Sequence, residues 1–173
     1  ELANLARSEG VNSKKLFMQD ENTSDYSGIN ELLKLELMNN YNQSIVQDSL
    51  LFKNKIHKII DFGAGIGTLS LIFREKYNKE PFCIEIDKTN ISYLKKRNFE
   101  SFQNIDDISF KADLIFSSNV LEHIKNDYLT IVNFRSHLED NGLLYLYLPA
   151  KKILWTKLDE FVGHYRRYEI SRL

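Results

Sequence analysis

The stretch Lys58-Ile-Ile-Asp-Phe-Gly-Ala-Gly-Ile-Gly-Thr-Leu69 decides the fold that this sequence predicts. An apolar run leads into Asp61, three glycines follow at every second position, and apolar residues then recur at helical spacing. The pattern predicts a strand over 56–62, a tight glycine turn and a helix over 66–77. Such a corner is typical of nucleotide sites, because glycine lets the backbone lie against a ligand and the N–H groups that open the helix face it.

The glycine spacing separates two kinds of nucleotide site. A dinucleotide fingerprint is G-x-G-x-x-G, and position 68, where its third glycine would fall, is Thr. The observed G-x-G-x-G, with Asp61 two residues upstream, resembles motif I of the class I S-adenosylmethionine (SAM)-dependent methyltransferases. The resemblance implies that the loop wraps the amino-acid and ribose parts of SAM, through Asp61, Gly63, Ala64, Gly65 and Gly67. The alternatives are an ordinary glycine-rich turn and a nicotinamide-dependent oxidoreductase, which Thr68 disfavours.

Bulk composition sets the remaining limits. The 173 residues are 43% hydrophobic and 27% charged, which predicts a globular chain. The net charge of −1 does not favour general nucleic-acid binding, and the single Cys83 excludes an internal disulfide or a cysteine zinc cluster. No apolar run is long enough to cross a membrane and no signal peptide is evident, so we expect a cytoplasmic protein. We expect a helical lead-in or cap over 1–52 and the SAM-binding core over 53–173.

The second predicted strand, 82–87, ends in Glu85-Ile86-Asp87. A carboxylate at that end of a strand can accept both ribose hydroxyls, and the resemblance places Glu85 and Ile86 at the cofactor. Asp87 competes for this role, but its simpler role is to cap the helix predicted over 88–98. A short third strand is predicted over 99–103. Asp106 or Asp107 after it would contact the adenine or lie in an exposed acidic loop.

A second motif follows the strand predicted over 112–118. The sequence Asn119-Val-Leu-Glu-His-Ile124 resembles the NVLEHI segment of the same methyltransferases. The resemblance implies that Asn119 holds the methionine end of SAM, and that His123 either deprotonates an acceptor or orients the loop. Glu122 and His123 also match metal positions in some quinone O-methyltransferases. That set has a carboxylate where this chain has Asn119, and we predict no metal.

The third motif lies near the end of the sequence. The pattern predicts a helix over 128–139, ended by Gly142, and then a strand over 143–148. The sequence Gly163-His-Tyr-Arg-Arg-Tyr168 follows and resembles a segment of a bacterial methyltransferase branch. The resemblance implies that His164 and Tyr165 line the acceptor pocket. Residues 151–173 hold six basic and three acidic residues, which suits an anionic or sugar-bearing acceptor or else forms a solvated basic face.

These elements predict an α/β fold, a Rossmann-like three-layer α/β/α sandwich with a parallel sheet of order 3-2-1-4-5. Residues 29–52 form one broken helix or two, from which Tyr41 either contacts the ligand or only packs. The family's sixth and seventh strands are not expected, so the exposed edge of strand five could pair in a homodimer. The predicted function is SAM-dependent methyl transfer to oxygen or nitrogen of a small-molecule, glycan or lipid-linked acceptor. The alternative is an inactive SAM-binding or partner-binding module.

Overall fold

The structure is a computed structural model that describes residues 29–51 and 55–170. Its strands are β1 (Ile59–Phe62), β2 (Pro81–Ile84), β3 (Ser101–Phe102), β4 (Ala112–Ser118) and β5 (Leu138–Tyr147). Its helices are α1 (Ile29–Glu36), α2 (Asn39–Leu50), α3 (Thr68–Tyr77), α4 (Lys88–Lys96), α5 (Asp127–His137) and α6 (Lys157–Phe161). The N-terminal helical segment is thus two successive helices.

All five strands are parallel and lie in the order β3-β2-β1-β4-β5, which confirms the predicted topology. The chain moves outward in one direction from β1 to β3 and then crosses back to β4 on the other side of β1. The strand order therefore reverses between β1 and β4. A crevice forms at such a point at the carboxyl ends of the strands, because the helices that follow the two strands leave to opposite faces.

Both faces of the sheet are buried, which explains why the strand sequences are continuous apolar runs. On one face, Ile59 and Phe116 pack with Phe73 of α3, whose ring lies 5.2 Å from that of Phe116. On the other face, Phe62 packs with Phe134 of α5 at a ring distance of 4.6 Å. Helix layers on both faces confirm the predicted three-layer sandwich.

The predicted C-terminal end of the helix over 128–139, with Gly142 after it, is wrong. Helix α5 ends at His137, and Leu138 already pairs with Ala112 in β5. Gly142 is required for close approach, since a Cβ there would lie 3.0 Å from the Ala112 carbonyl oxygen. The pairing is irregular between Ala112 and Leu114, where β5 bulges before regular register resumes at Leu143.

Within the described ranges β5 is the last strand of the sheet, and strands six and seven are absent, as predicted. The chain then continues through a 3₁₀ turn, Lys152–Leu154, and α6. It returns to form a bridge between Ala150 and Tyr168. Most of the predicted lead-in, residues 1–28, lies outside the described residues, whereas Ile45 and Val46 of α2 are buried in the same core as β1. None of the described helices is both long and apolar enough to span a bilayer.

Candidate active site

A cleft of about 700 Å³ opens at the carboxyl edge of the sheet, a volume in the range of small-molecule sites. Its walls come from the β1–α3 loop, the end of β2, the segment after β4, helices α1 and α2, and Val162 and His164. Nine of the predicted site residues line it: Tyr41, Gly63, Ala64, Gly65, Glu85, Ile86, Asn119, His123 and His164. Asp61, Gly67 and Tyr165 are not among the lining residues.

The glycine loop needs its glycines for two different reasons. Gly63, Gly65 and Gly67 all have positive φ, of 78°, 56° and 86°. A Cβ at Gly63 would lie 2.3 Å from a methyl carbon of Val120, so the loop passes closely under the segment after β4. A Cβ at Gly67 would instead meet Leu94 at 2.8 Å. Gly67 therefore serves the packing of α3, while Gly63 and Gly65 shape the cleft.

Glu85 joins the end of β2 to the glycine loop. One carboxylate oxygen accepts a hydrogen bond from Gly65 N–H at 2.8 Å, and the other accepts from Ile86 and Asp87 N–H at 2.8 and 2.9 Å. Burial raises the pKa of Glu85, and these backbone donors oppose the rise. A carboxylate has about four acceptor sites, so one remains for a ligand hydroxyl. Asp87 lines the cleft and also caps α4 by accepting from Asn90 N–H at 2.9 Å, as predicted for the cap.

Asp61 lies beneath the loop and has a structural partner. It is 2% exposed, and its carboxylate accepts a hydrogen bond from the Ser70 hydroxyl at 2.6 Å. Burial raises the pKa of Asp61 to about 7. This hydrogen bond connects β1 to α3. Asp61 therefore lies beneath the glycine loop and not on the surface of the cleft, although the sequence motif predicts it at the cofactor. The alternation of side chains along a strand could have predicted this position, because Asp61 and Ile59 lie two residues apart and therefore on the same face of β1, under α3.

Asn119 ends β4 in a left-handed conformation, with φ of 53°. Its N–H donates to the Tyr147 carbonyl at 2.8 Å, which holds the turn against β5. The Tyr41 ring lies 5.9 Å from that of Tyr147, edge to face. Burial, followed by a hydrogen bond with Tyr147, raises the pKa of Tyr41 to about 12. Tyr41 is therefore a neutral phenol at the cleft wall, beside Asn119.

The two histidines of the separate motifs meet in the cleft, with ring centroids 4.6 Å apart and edge to face. The Nδ1 atom of His164 lies 2.9 Å from Oδ1 of Asp159. Arg167 donates to both oxygens of Asp159, at 2.8 and 3.0 Å. Burial, with a smaller contribution from His164, lowers the pKa of His123 to about 4, so His123 is neutral near pH 7.

Glu122 is fully buried at this meeting point and lines the cleft. Neither of its carboxylate oxygens has a hydrogen-bond partner in any other described residue. Its Oε1 lies 3.9 Å from Nε2 of His164, and one ligand atom from each of Glu122, His123 and His164 falls within 4.8 Å of the others. Burial raises the pKa of Glu122 to about 7. The sequence motif indicates Glu122 only as a candidate metal position and does not predict this cluster, because His164 is 41 positions away from His123.

The basic residues of the last motif have other partners. Tyr165 is 49% exposed, and its N–H donates to the Glu122 carbonyl at 2.7 Å. Arg166 donates to the carbonyls of Ile124 and Lys125 and pairs with Asp127, while Arg167 binds Asp159. Both guanidinium groups therefore fix the segment to the core, which does not favour a role for these two arginines in binding an anionic acceptor.

The cleft is acidic. Four carboxylates line it, from Glu31, Glu85, Asp87 and Glu122, whereas no Lys or Arg occurs among the described lining residues. Thr68 also lines the cleft, and its buried hydroxyl has no partner in the described part of the chain. Sequence reasoning did not single out this hydroxyl as a ligand contact. A concave acidic wall favours a positively charged ligand over a pyrophosphate.

The sheet order and the glycine corner define a class I methyltransferase domain. The family model described as a methyltransferase domain matches residues 34–170. The chain therefore belongs to this family, which is that of the SAM-dependent methyltransferases. No curated protein sequence matches the chain significantly.

Solved structures with similar folds include DesVI of Streptomyces venezuelae, with 16% identity and a TM-score of 0.61 over 78% of this chain and 61% of DesVI. The plantazolicin methyltransferase BamL, solved with a triazolic desmethylPZN analog and S-adenosylhomocysteine (SAH), has 18% identity and a TM-score of 0.58 over 86% and 59% of the two chains. The glycopeptide N-methyltransferase MtfA has 16% identity and a TM-score of 0.56 over 64% and 55%. The chain thus spans less than two thirds of the length of these three proteins.

Proposed function

We propose that this chain binds SAM in the cleft and directs its methyl group to an oxygen or nitrogen atom of a small-molecule or peptide acceptor. The observation that carries the proposal is the acidic cleft formed by the glycine loop, Glu85 and Asn119 at the strand-order reversal. SAM supplies a methyl group activated by a sulfonium, and the cofactor is a cation at that centre. Two structural neighbours, the glycopeptide N-methyltransferase MtfA and the plantazolicin methyltransferase BamL, are consistent with a small-molecule or peptide acceptor.

The residues present fit this cofactor. Gly63 and Gly65 leave room for it beside the main chain, Glu85 accepts a ribose hydroxyl, and Asn119 and Tyr41 border the methionine end. The unpartnered Thr68 hydroxyl provides a further polar contact. The acidic wall should favour the cationic cofactor over NAD, whose pyrophosphate would face carboxylates.

The catalytic contribution of the protein is mainly alignment of the acceptor with the methyl group and exclusion of water. His123 and His164 face the acceptor. Asp159 orients the His164 ring through Nδ1, which leaves Nε2 directed toward Glu122. A histidine oriented by a carboxylate in this way can accept a proton at Nε2 during the reaction.

A calorimetric titration with SAH, and with NAD as the control ligand, tests the proposal. We expect SAH to bind with a Kd on the order of micromolar and NAD not to bind. Glu85→Gln should weaken SAH at least about tenfold through the lost ribose acceptor, a loss of about 1.4 kcal/mol. Glu139→Gln, an exposed position outside the cleft, is the matched control.

Binding of NAD instead of SAH, or equal SAH affinity in Glu85→Gln and the parent, would contradict the proposal. SAH binding without methyl transfer, by a chain that includes any residues flanking this sequence, would identify an inactive SAM-binding module.

A further inference from the structure

We propose that the acceptor is an amine and that Glu122 is the carboxylate that receives it as an ammonium ion. This inference rests on the proposed function, because it names the acceptor class of the same cleft. It goes against the sequence expectation of an anionic or sugar-bearing acceptor.

The first observation is the missing partner of Glu122. A carboxylate that is 0% exposed loses its hydration, and folded proteins normally restore the loss with hydrogen bonds or a cation. Neither oxygen of Glu122 has such a partner in any other described residue, although the side chain borders a cleft. A ligand that enters the cleft with a positive charge and N–H donors would supply both.

The second observation is that the surrounding groups do not neutralise Glu122. The titratable groups near it include Nε2 of His164, at 3.9 Å, a ring nitrogen of His123 and the neutral phenol of Tyr41, with Asp159 behind His164. Arg166 and Arg167 are bound elsewhere. His123 is held neutral by burial, which lowers its pKa to about 4. The cleft therefore keeps a site for a cation beside two imidazoles that can accept hydrogen bonds.

The distances within the cluster leave room for an ammonium ion. Acceptors around one tetrahedral ammonium, each at about 2.8 Å from nitrogen, lie about 4.6 Å apart. Ligands of one metal ion, each at about 2.1 Å, lie about 3.0–3.4 Å apart. Oε1 of Glu122 and Nε2 of His164 are 3.9 Å apart, and the cluster of three extends to within 4.8 Å. The 3.9 Å pair lies between the ammonium and metal values, and the 4.8 Å outer limit of the cluster reaches the ammonium value. The three groups can therefore receive N–H donors, and a Zn²⁺ titration distinguishes this from a metal site.

The arrangement also provides the proton transfer that an amine requires. The ammonium form has no lone pair, so one N–H proton passes to the Glu122 carboxylate and the nitrogen becomes a neutral amine. That nitrogen forms the N–C bond as the C–S bond breaks, and the sulfur keeps the electron pair. The products are a methylated ammonium ion and SAH. The proton on Glu122 then leaves through Nε2 of His164 to water.

The test follows the imidazole signals of His123 and His164 by NMR in the SAH-saturated protein. The probes are cyclohexylammonium and cyclohexanol, which share a skeleton and differ in the charged group. We expect cyclohexylammonium to shift both signals with a Kd of about 1–10 mM, and cyclohexanol to bind at least about tenfold more weakly. The remaining two histidines, His57 and His137, are internal references outside the cleft lining.

Glu122→Gln should weaken cyclohexylammonium at least tenfold and leave the SAH affinity within twofold of the parent. Glu139→Gln should change neither. Equal shifts by amine and alcohol, or no shift by the ammonium up to 100-fold above the expected Kd, would overturn the inference.

Two other outcomes also overturn it. Micromolar Zn²⁺ binding that displaces the ammonium and is lost in Glu122→Gln would identify a metal site. A large loss of SAH affinity in Glu122→Gln would assign Glu122 to the cofactor's own ammonium group. The ammonium titration is repeated without SAH, so that a failure of SAH binding, which concerns the proposed function, is separate from a failure of amine recognition.

Discussion

The Nδ1 atom of His164 lies 2.9 Å from Oδ1 of Asp159, and this contact fixes one wall of the cleft. Asp159 is 1% exposed and belongs to a capping box with Thr156 at the start of α6. The same carboxylate receives two hydrogen bonds from Arg167. Asp159 thus connects the cap of α6, Arg167 and His164. The position of His164 therefore depends on the short segment after β5.

Asp159→Asn should lower the free energy of unfolding, because it leaves the Arg167 guanidinium without its charged partner. Hydrogen bonds from Arg167 hold the pKa of Asp159 well below its usual range, so this stabilisation is present above about pH 4 and is lost as acid protonates the carboxylate. Urea unfolding at pH 7 measures the loss. The exposed Asp140→Asn is the control, and an equal effect of both variants would contradict the prediction.

Glu122→Gln should stabilise the protein at pH 8. Burial raises the pKa of Glu122 from 4.5 to about 7, so the folded parent binds the extra proton and loses stability as the pH rises between these values. The difference between variant and parent should grow by up to about 3 kcal/mol from pH 4.5 to 7.5. His123, whose pKa falls to about 4, has the opposite dependence, but it is present in both proteins and cancels in the difference.

Thermal melts across this pH range, with Glu139→Gln as the matched surface change, provide the measurement. A difference that stays constant with pH would show that Glu122 titrates as an ordinary carboxyl.

Ser70→Ala should destabilise the protein more at pH 8 than at pH 5. Burial raises the pKa of Asp61 to about 7, and the Ser70 hydroxyl that donates to Asp61 opposes this rise. Loss of the hydroxyl therefore disfavours the charged form of Asp61. We expect a loss of about 1–3 kcal/mol at pH 8. Ser92→Ala removes an exposed hydroxyl that donates to the Thr89 carbonyl, so its effect should be small and independent of pH. Equal losses at both pH values for Ser70→Ala would count against the coupling to Asp61.

Gly63→Ala and Gly163→Ala separate backbone strain from steric overlap. Both glycines have φ of 78°, so each alanine carries similar strain of about 1 kcal/mol. A Cβ at position 63 also meets Val120 at 2.3 Å, whereas one at position 163 has no heavy atom within 4 Å in the described structure. We expect Gly63→Ala to lose about 2–3 kcal/mol more than Gly163→Ala in urea unfolding.

The double variant Gly63→Ala/Val120→Ala should recover part of this extra loss, because the smaller side chain makes room for the new methyl group. A double variant no more stable than Gly63→Ala would show that the backbone, and not Val120, limits the loop.

Much of the fold was predictable from the sequence because it depends on local patterns. The strand at 112–118 is observed as β4 with the same bounds, since its apolar run is flanked by polar residues on both sides. Asp87 caps α4 as predicted, because a cap needs only its own side chain and the next turn of the helix. The end of α5 was missed, since Leu138 leaves the helix to pair with Ala112, a residue 26 positions earlier that the local pattern cannot include.

The candidate site divides in the same way. Sequence motifs alone pointed to Gly63, Gly65, Glu85, Asn119 and the histidines, because glycine spacing and the residues at strand ends are local features. Only the tertiary structure shows that Asp61 lies under α3 and that His164 lies beside Glu122. It also shows that the side chains of Arg166 and Arg167 bind groups of the core. Whether a charged group has a partner depends on neighbours that are distant in sequence. The unpartnered carboxylate at the centre of the cleft could therefore be found only in three dimensions.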